Sequence, residues 1–447
     1  MRLLFIIILT LITISNLYSQ FNFSSLDPLQ KWKKTETKHF EIYFSENSSN
    51  TAMKLSTICD EIYEILSDKM KVKFSYKFPV IVVNQSDLPN GYYSPIPYPY
   101  ILIYTSTISK LNNFYFDNDI KGVFTHELTH ALAIEEAKGI WEPFRFIFGY
   151  YIAPNLYLPG IFIESITVFN ESTWGYGRLN NPIFKDTIYS QAYYGKFRSF
   201  YNANLVSDFP TDNWYSYGGL FFYYLYQKYG YDKIIEFYRK NIYYLPGFFY
   251  FSFYETFNNN IFSEWEEFKN FISNKVISRK QYNNLSQLTY DGGYKQTLKT
   301  YDNFLIYIQK GIKGELTSLK YLNLKTKKVN HLLYGRYIYN FDIKSNILAF
   351  IEIQYSKYHT YTILKIAKIT NISDKLKILD EKTLNVKNLY YITIIDDNNL
   401  LGLLENDSKY YLVKISIPGS KIKTLIESDE FIHKVKYKNN QIYLVIR

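Results

Sequence analysis

The chain has 447 residues, 47% of them hydrophobic and 19% aromatic, with a formal net charge of +10. That length suits two or three domains, and that apolar share argues against wholesale disorder. Lys and Arg are scattered rather than clustered, which argues against a nucleic-acid binder while leaving long-range attraction to anionic surfaces.

The first nineteen residues read as a secretory leader. Arg2 supplies the positive start, Leu3 to Ile14 the apolar run, and Leu17-Tyr18-Ser19 the cleavage site ahead of Gln20. The apolar run is shorter than the ~20 residues of a membrane span. The expectation is therefore an exported chain, in the periplasm or outside the cell. Cys59 is the only cysteine, so an intrachain disulfide is excluded; it sits in a helical pattern as a small core hydrophobe.

Residues 30–116 have a mixed α/β pattern. Phe40 to Phe44 alternates like a strand, a helix is expected over 49–70, and Phe78 to Val83 is a second strand. Asn90-Gly91 marks a turn and Tyr100 to Tyr104 a further strand. Residues 117–284 are helical. Asp117 or Asn118 can cap a helix carrying Ile120, Val123, Phe124, Leu128 and Leu132, and further helices are expected near 160–170, 214–229, 231–241 and 262–279. The apolar runs Phe144 to Phe169 and Ile242 to Tyr254 are broken by charges or proline, and fit buried or surface-docking aromatic segments better than membrane spans.

Residues 285–447 consist of short β-type runs. Asn303, Asn346, Asn399 and Asn440 each precede an apolar strand, a spacing close to that of propeller blades. Three units and one extra strand fall short of a closed propeller. Either the last strand completes the first blade, the sheet set stays open, or the chain is shorter than its relatives; a plain β-sandwich or meander is the alternative.

Chemistry concentrates in Thr125-His126-Glu127-Leu128-Thr129-His130-Ala131. Residues four apart share a helix face, so His126 and His130 can reach one metal ion with Glu127 beside its bound water. Catalytic zinc takes three protein ligands and one open position. The next histidine after His130 is His331, in the β region, so a carboxylate is the expected third ligand. Glu164 is the best candidate: it is the single charge in an apolar helical stretch, where an unpaired carboxylate is costly. Glu135, Glu136 and Glu142 read as solvated charges. Glu171 shares the helix face of Glu164 and is either a partner of a ligand or an exposed helix-end charge.

These residues resemble the gluzincin peptidases of the thermolysin-like superfamily, in particular the bacterial exported group with a C-terminal TolB-like β-propeller. The resemblance runs through His126 to His130, Ala137-Lys138-Gly139-Ile140, Phe148-Gly149, Pro154-Asn155, the Pro159-to-Glu171 stretch, Gly175-Tyr176-Gly177-Arg178 and Tyr215-Ser216-Tyr217-Gly218-Gly219. Relatives usually place Gly and Ala after the ligand glutamate, where this chain has Ser165 and Thr167. The resemblance implies an α+β zincin-like peptidase domain over 20–284 and an all-β, propeller-like domain over 285–447. It implies one zinc per chain on His126, His130 and Glu164, peptide or protein substrates, and a metal-activated water with Glu127 as general base. Tyr217 is its expected oxyanion donor, with aromatic packing as the alternative role. The segment Tyr92 to Tyr104 would line the cleft as a strand. The competing expectation is an inactive envelope scaffold that captures a protein partner through the β domain.

Overall fold

In the computed structural model the described residues are 26–87, 90–106, 119–173, 177–205, 213–277, 286–291, 293–310 and 317–446. The expected leader, the capping candidates Asp117 and Asn118, and the Gly175-Tyr176 pair lie outside them.

The N-terminal half is α+β. Its sheet holds β1 (Trp32–Glu36), β2 (Phe40–Ser45), β3 (Phe78–Val83), β4 (Gly91–Ser94) and β5 (Tyr100–Tyr104), in the order β1-β2-β3-β5-β4. β2, β3 and β5 run parallel, while β1 and β4 are antiparallel edges. Alternation explains the covered face: Phe40, Ile42, Val80 and Val82 are fully buried between half-exposed neighbours. Helix α1 (Ser49–Met70) is the crossover between β2 and β3, and α2 (Asp119–Ile134) carries the histidine motif. The expected Tyr92 to Tyr104 strand is instead a hairpin, with Pro97 and Tyr98 in its turn. Proline cannot donate to a ladder, which breaks that run in two.

The remaining helices are α3 (Trp141–Phe148), α4 (Gly160–Ser172), α5 (Pro182–Tyr193), α6 (Phe200–Asn204), α7 (Asn213–Tyr229), α8 (Tyr231–Asn241), α9 (Phe249–Phe257) and α10 (Ile261–Ile277). They share one continuous core with the sheet. Close approach of α4 and α7 depends on Gly218, where a Cβ would collide with Ser165 Oγ and lie 2.8 Å from the Ile161 carbonyl.

The C-terminal half is all-β, a series of stacked antiparallel sheets. Three four-stranded meanders follow one another: β6 (Lys295–Tyr301) to β9 (Val329–Leu333), β10 (Ile338–Lys344) to β13 (Lys375–Leu384), and β14 (Leu389–Asp396) to β17 (Ile422–Ser428). β18 (Ile432–Lys438) and β19 (Gln441–Ile446) form a final two-stranded ribbon. The repeated asparagines sit in the hairpin turn before, or at the start of, the second strand of each sheet. The first strands are cross-linked: Lys299 on β6 pairs with Asp342 on β10 at 2.6 Å, Asp342 accepts the Ile394 N–H of β14 at 2.8 Å, and Tyr390 of β14 donates to the Ile432 carbonyl of β18 at 2.6 Å. Among the described residues β19 pairs with β18 and not with the first sheet, so of the three alternatives the one in which the last strand completes the first blade is not seen.

The halves are joined by polar contacts. Asp407, in the turn between β15 (Asn399–Asn406) and β16 (Lys409–Ser416), accepts the backbone N–H groups of Asn50 and Thr51 at 2.8 and 3.0 Å. It thus caps α1, whose own N-cap residue Ser48 makes no side-chain cap bond. Asp87 accepts the Thr362 N–H at 2.6 Å and its hydroxyl at 3.0 Å.

Candidate metal centre

His126, Glu127 and His130 are all buried on α2, below a tenth exposed. The helix ends where its last carbonyls find donors. Asn155 Nδ2 donates to the Ala133 carbonyl at 2.8 Å, and Arg145 donates to the Glu135 carbonyl at 2.6 Å. Glu135 itself is buried and accepts the Tyr76 hydroxyl at 2.6 Å, so the expectation of a solvated charge is corrected there. Burial pushes its carboxyl above the ordinary value, with Tyr76 and Arg145 opposing.

Helix α4 brings Glu164 over the two histidines. Its Oε2 lies 3.4 Å from His126 Nε2 and 3.4 Å from His130 Nε2, and the three candidate ligand atoms fall within 4.8 Å of one another. That oxygen is buried and makes no hydrogen bond. Two donors ~2.0–2.1 Å from a tetrahedral metal stand roughly 3.3–3.4 Å apart. The residues therefore fit a zinc-sized cation: two imidazole nitrogens and one carboxylate oxygen converge at ligand spacing, and the carboxylate lacks any other partner. No other group of three or more His, Cys, Asp or Glu among the described residues meets this geometry.

Glu171 is not the exposed helix-end charge of its second expected role. It is 1% exposed, and its Oε2 lies 2.8 Å from His126 Nδ1. When Nδ1–H is donated to this carboxylate, Nε2 is the ring nitrogen that faces Glu164. Arg178 clamps the same carboxylate through its backbone N–H at 3.2 Å and its guanidinium at 3.3 Å. The guanidinium also lies 4.5 Å from the centre of the Tyr215 ring, and that ring stacks on His126 at 5.9 Å. Without a cation, burial pulls the His126 pKa down, but Glu164 and Glu171 outweigh it and raise it to about 9. The nearby imidazoles hold Glu164 well below the usual carboxylate range despite its burial.

Glu127 is set apart from these pairs. Burial pushes its carboxyl up, His126 and His130 pull it back, Glu164 raises it, and the Tyr93 backbone of β4 lowers it by hydrogen bonding. The β4 strand lies close against the Glu127 side chain: a Cβ on Gly91 would lie 3.2 Å from Glu127 Cγ. β4 is an edge of the sheet, with one side that pairs with no other strand among the described residues.

Tyr217 lies elsewhere in the helical core. It is fully buried, donates to Gln191 at 2.6 Å, accepts the Arg198 N–H at 2.9 Å and stacks on Trp265. Its hydroxyl is engaged on both sides, and these surroundings are those of the packing alternative. Sequence reasoning missed Arg178 and Tyr215 as neighbours of His126. A buried arginine seven residues beyond Glu171 was a usable signal; Tyr215 carried none among 48 tyrosines.

No family model matches the chain. It is similar to a protein of Treponema pallidum (strain Nichols) described as an uncharacterized protein, 26% identical over 241 residues, which is 52% of this chain and 21% of the relative. The match therefore spans about a fifth of that relative's length. Among the described residues no helix is long and apolar enough to cross a membrane.

Proposed function

We propose that the chain is an exported zinc-dependent metallopeptidase of the gluzincin type, with a propeller-like C-terminal domain. The observation that carries this reading is the Glu164 oxygen placed 3.4 Å from both His126 and His130 without a hydrogen bond, with the buried Glu127 on the same helix as the two histidines. His126, His130 and Glu164 would hold the metal, whose chemistry is to acidify a water and polarise a scissile carbonyl. Glu171 and Arg178 fix the His126 ring and its tautomer. Glu127, raised by burial, accepts the water's proton and returns it to the leaving amine. β4 offers an antiparallel edge on which an extended substrate backbone can lie.

Removing a general base costs typically 10²–10⁴-fold in rate. Glu127→Gln is expected to keep zinc and lose hydrolysis of an unfolded protein by at least about a hundredfold. Undiminished turnover in the zinc-loaded variant would refute the assignment. Stoichiometric zinc with no turnover in the parent, on any unfolded protein tested, would favour the scaffold reading instead.

A further inference from the structure

An apolar surface stands apart from the metal centre. Helix α3 has the sequence Trp-Glu-Pro-Phe-Arg-Phe-Ile-Phe and buries none of its residues. Phe146 is 93% exposed and Ile147 69%, with Phe148 beside them. A second aromatic segment adjoins it: Trp141 Nε1 donates to the Tyr244 carbonyl at 3.3 Å, and Tyr243 packs on Gly139. That segment adds exposed Leu245, Phe251 and Tyr254. A folded chain rarely leaves so many large apolar side chains on adjoining segments in water unless something covers them.

We propose that this face docks on the surface of an anionic phospholipid bilayer. Side chains as exposed as Phe146 and Ile147 protrude, and protruding tips insert among acyl chains, whereas a helix or peptide partner needs a groove. The composition is that of a membrane interface, with Phe, Ile and Leu at the tips and Trp141, Tyr151, Tyr243 and Tyr254 carrying polar ends. A cationic groove of about 370 Å³ shares Tyr243 with this face. It is lined by Lys71, Lys138, Arg239 and Lys240, of which Lys71 pairs with Asp232 at 2.9 Å, Lys240 with Glu236 at 3.0 Å and Lys138 with Glu136, a local excess of one positive charge (four minus three). A headgroup phosphate can meet Arg239 in that groove, and the +10 net charge attracts the chain to anionic lipid from a distance. The inference does not rest on the metal-centre reading.

The test is flotation of the full chain with vesicles of phosphatidylcholine, with and without phosphatidylglycerol. It is compared with a variant carrying Phe146→Ser, Ile147→Ser and Phe148→Ser, all solvent-exposed positions. The apolar residues 3–14 are common to both proteins, so the readout is their difference. The parent is expected to float with the anionic vesicles, and the variant to lose at least about tenfold in partitioning. Arg239→Gln should weaken binding to anionic vesicles and leave neutral ones unaffected. A second readout is quenching of Trp141 by brominated acyl chains, taken as the difference between the parent and Trp141→Phe. Equal flotation of parent and triple variant together with unquenched Trp141 overturns the proposal. Lipid-independent self-association that the triple variant abolishes also overturns it, by making the face a contact between copies. Capture of a protein partner with no vesicle binding does the same.

Discussion

Glu171→Ala removes the group that aims His126. In the parent, the carboxylate takes the Nδ1–H at 2.8 Å, the Arg178 N–H at 3.2 Å and its guanidinium at 3.3 Å, with essentially no solvent access. Two consequences are separable. Loss of an outer partner of a ligating histidine typically weakens metal binding 10–100-fold, or about 1.4–2.7 kcal/mol. Arg178, 5% exposed, is left as a buried charge without its carboxylate, which costs about 3–5 kcal/mol of stability. Zinc affinity should be measured by competition with a chromophoric chelator, at a temperature where circular dichroism shows the variant folded. Glu171→Gln keeps an acceptor for Nδ1–H, so its affinity should fall less than that of the alanine variant. A folded Glu171→Ala protein binding zinc within about twofold of the parent would refute the argument that this carboxylate sets the ligand's tautomer.

Gly218→Ala should destabilise the chain by about 1–3 kcal/mol, because the added methyl meets Ser165 and the Ile161 carbonyl on the helix carrying Glu164; an unchanged Tm would contradict that packing. Asp407→Ala removes the cap of α1 supplied from the other half and should cost about 0.5–2 kcal/mol in urea unfolding; no loss would mean that the contact contributes nothing in solution. Zinc uptake should release protons. The metal-free His126 keeps its proton up to about pH 9, and proton and metal compete for the same lone pair. Affinity should therefore rise with pH until about 9 and level off above it, read by calorimetry in buffers of different ionisation heat. A flat profile through that range would contradict the pairing of His126 with Glu164 and Glu171.

Much of this arrangement was legible in residue pattern. The period of 3.6 in Ile120, Phe124, Leu128 and Leu132 places the motif on a buried helix, and the structure puts it at Asp119–Ile134. Glu164 and Glu171 are seven apart on an apolar stretch, which places both on the face that meets His126. β3 and β5 follow from short β-branched runs with clear boundaries. Other elements were hidden for physical reasons. β1 is a mostly exposed edge whose lysines carry no apolar alternation. β4 is four residues long and reads as part of its turn. Helix α3 lies in an apolar run that fits buried and surface-docking segments alike, and pattern alone does not show that it buries none of its residues. Glu135 looked solvated because nothing in sequence announces that Tyr76, 59 residues earlier, and Arg145, ten residues later, will meet it.

The central claim is a three-ligand metal site, and its most direct test is the metal content of the purified chain beside its Glu164→Ala variant. The account predicts about one zinc per parent chain after excess is removed, and a lost or much weakened site in a variant that remains folded. A parent that binds no zinc when supplied with it, or a Glu164→Ala protein that binds it equally well, would contradict the account.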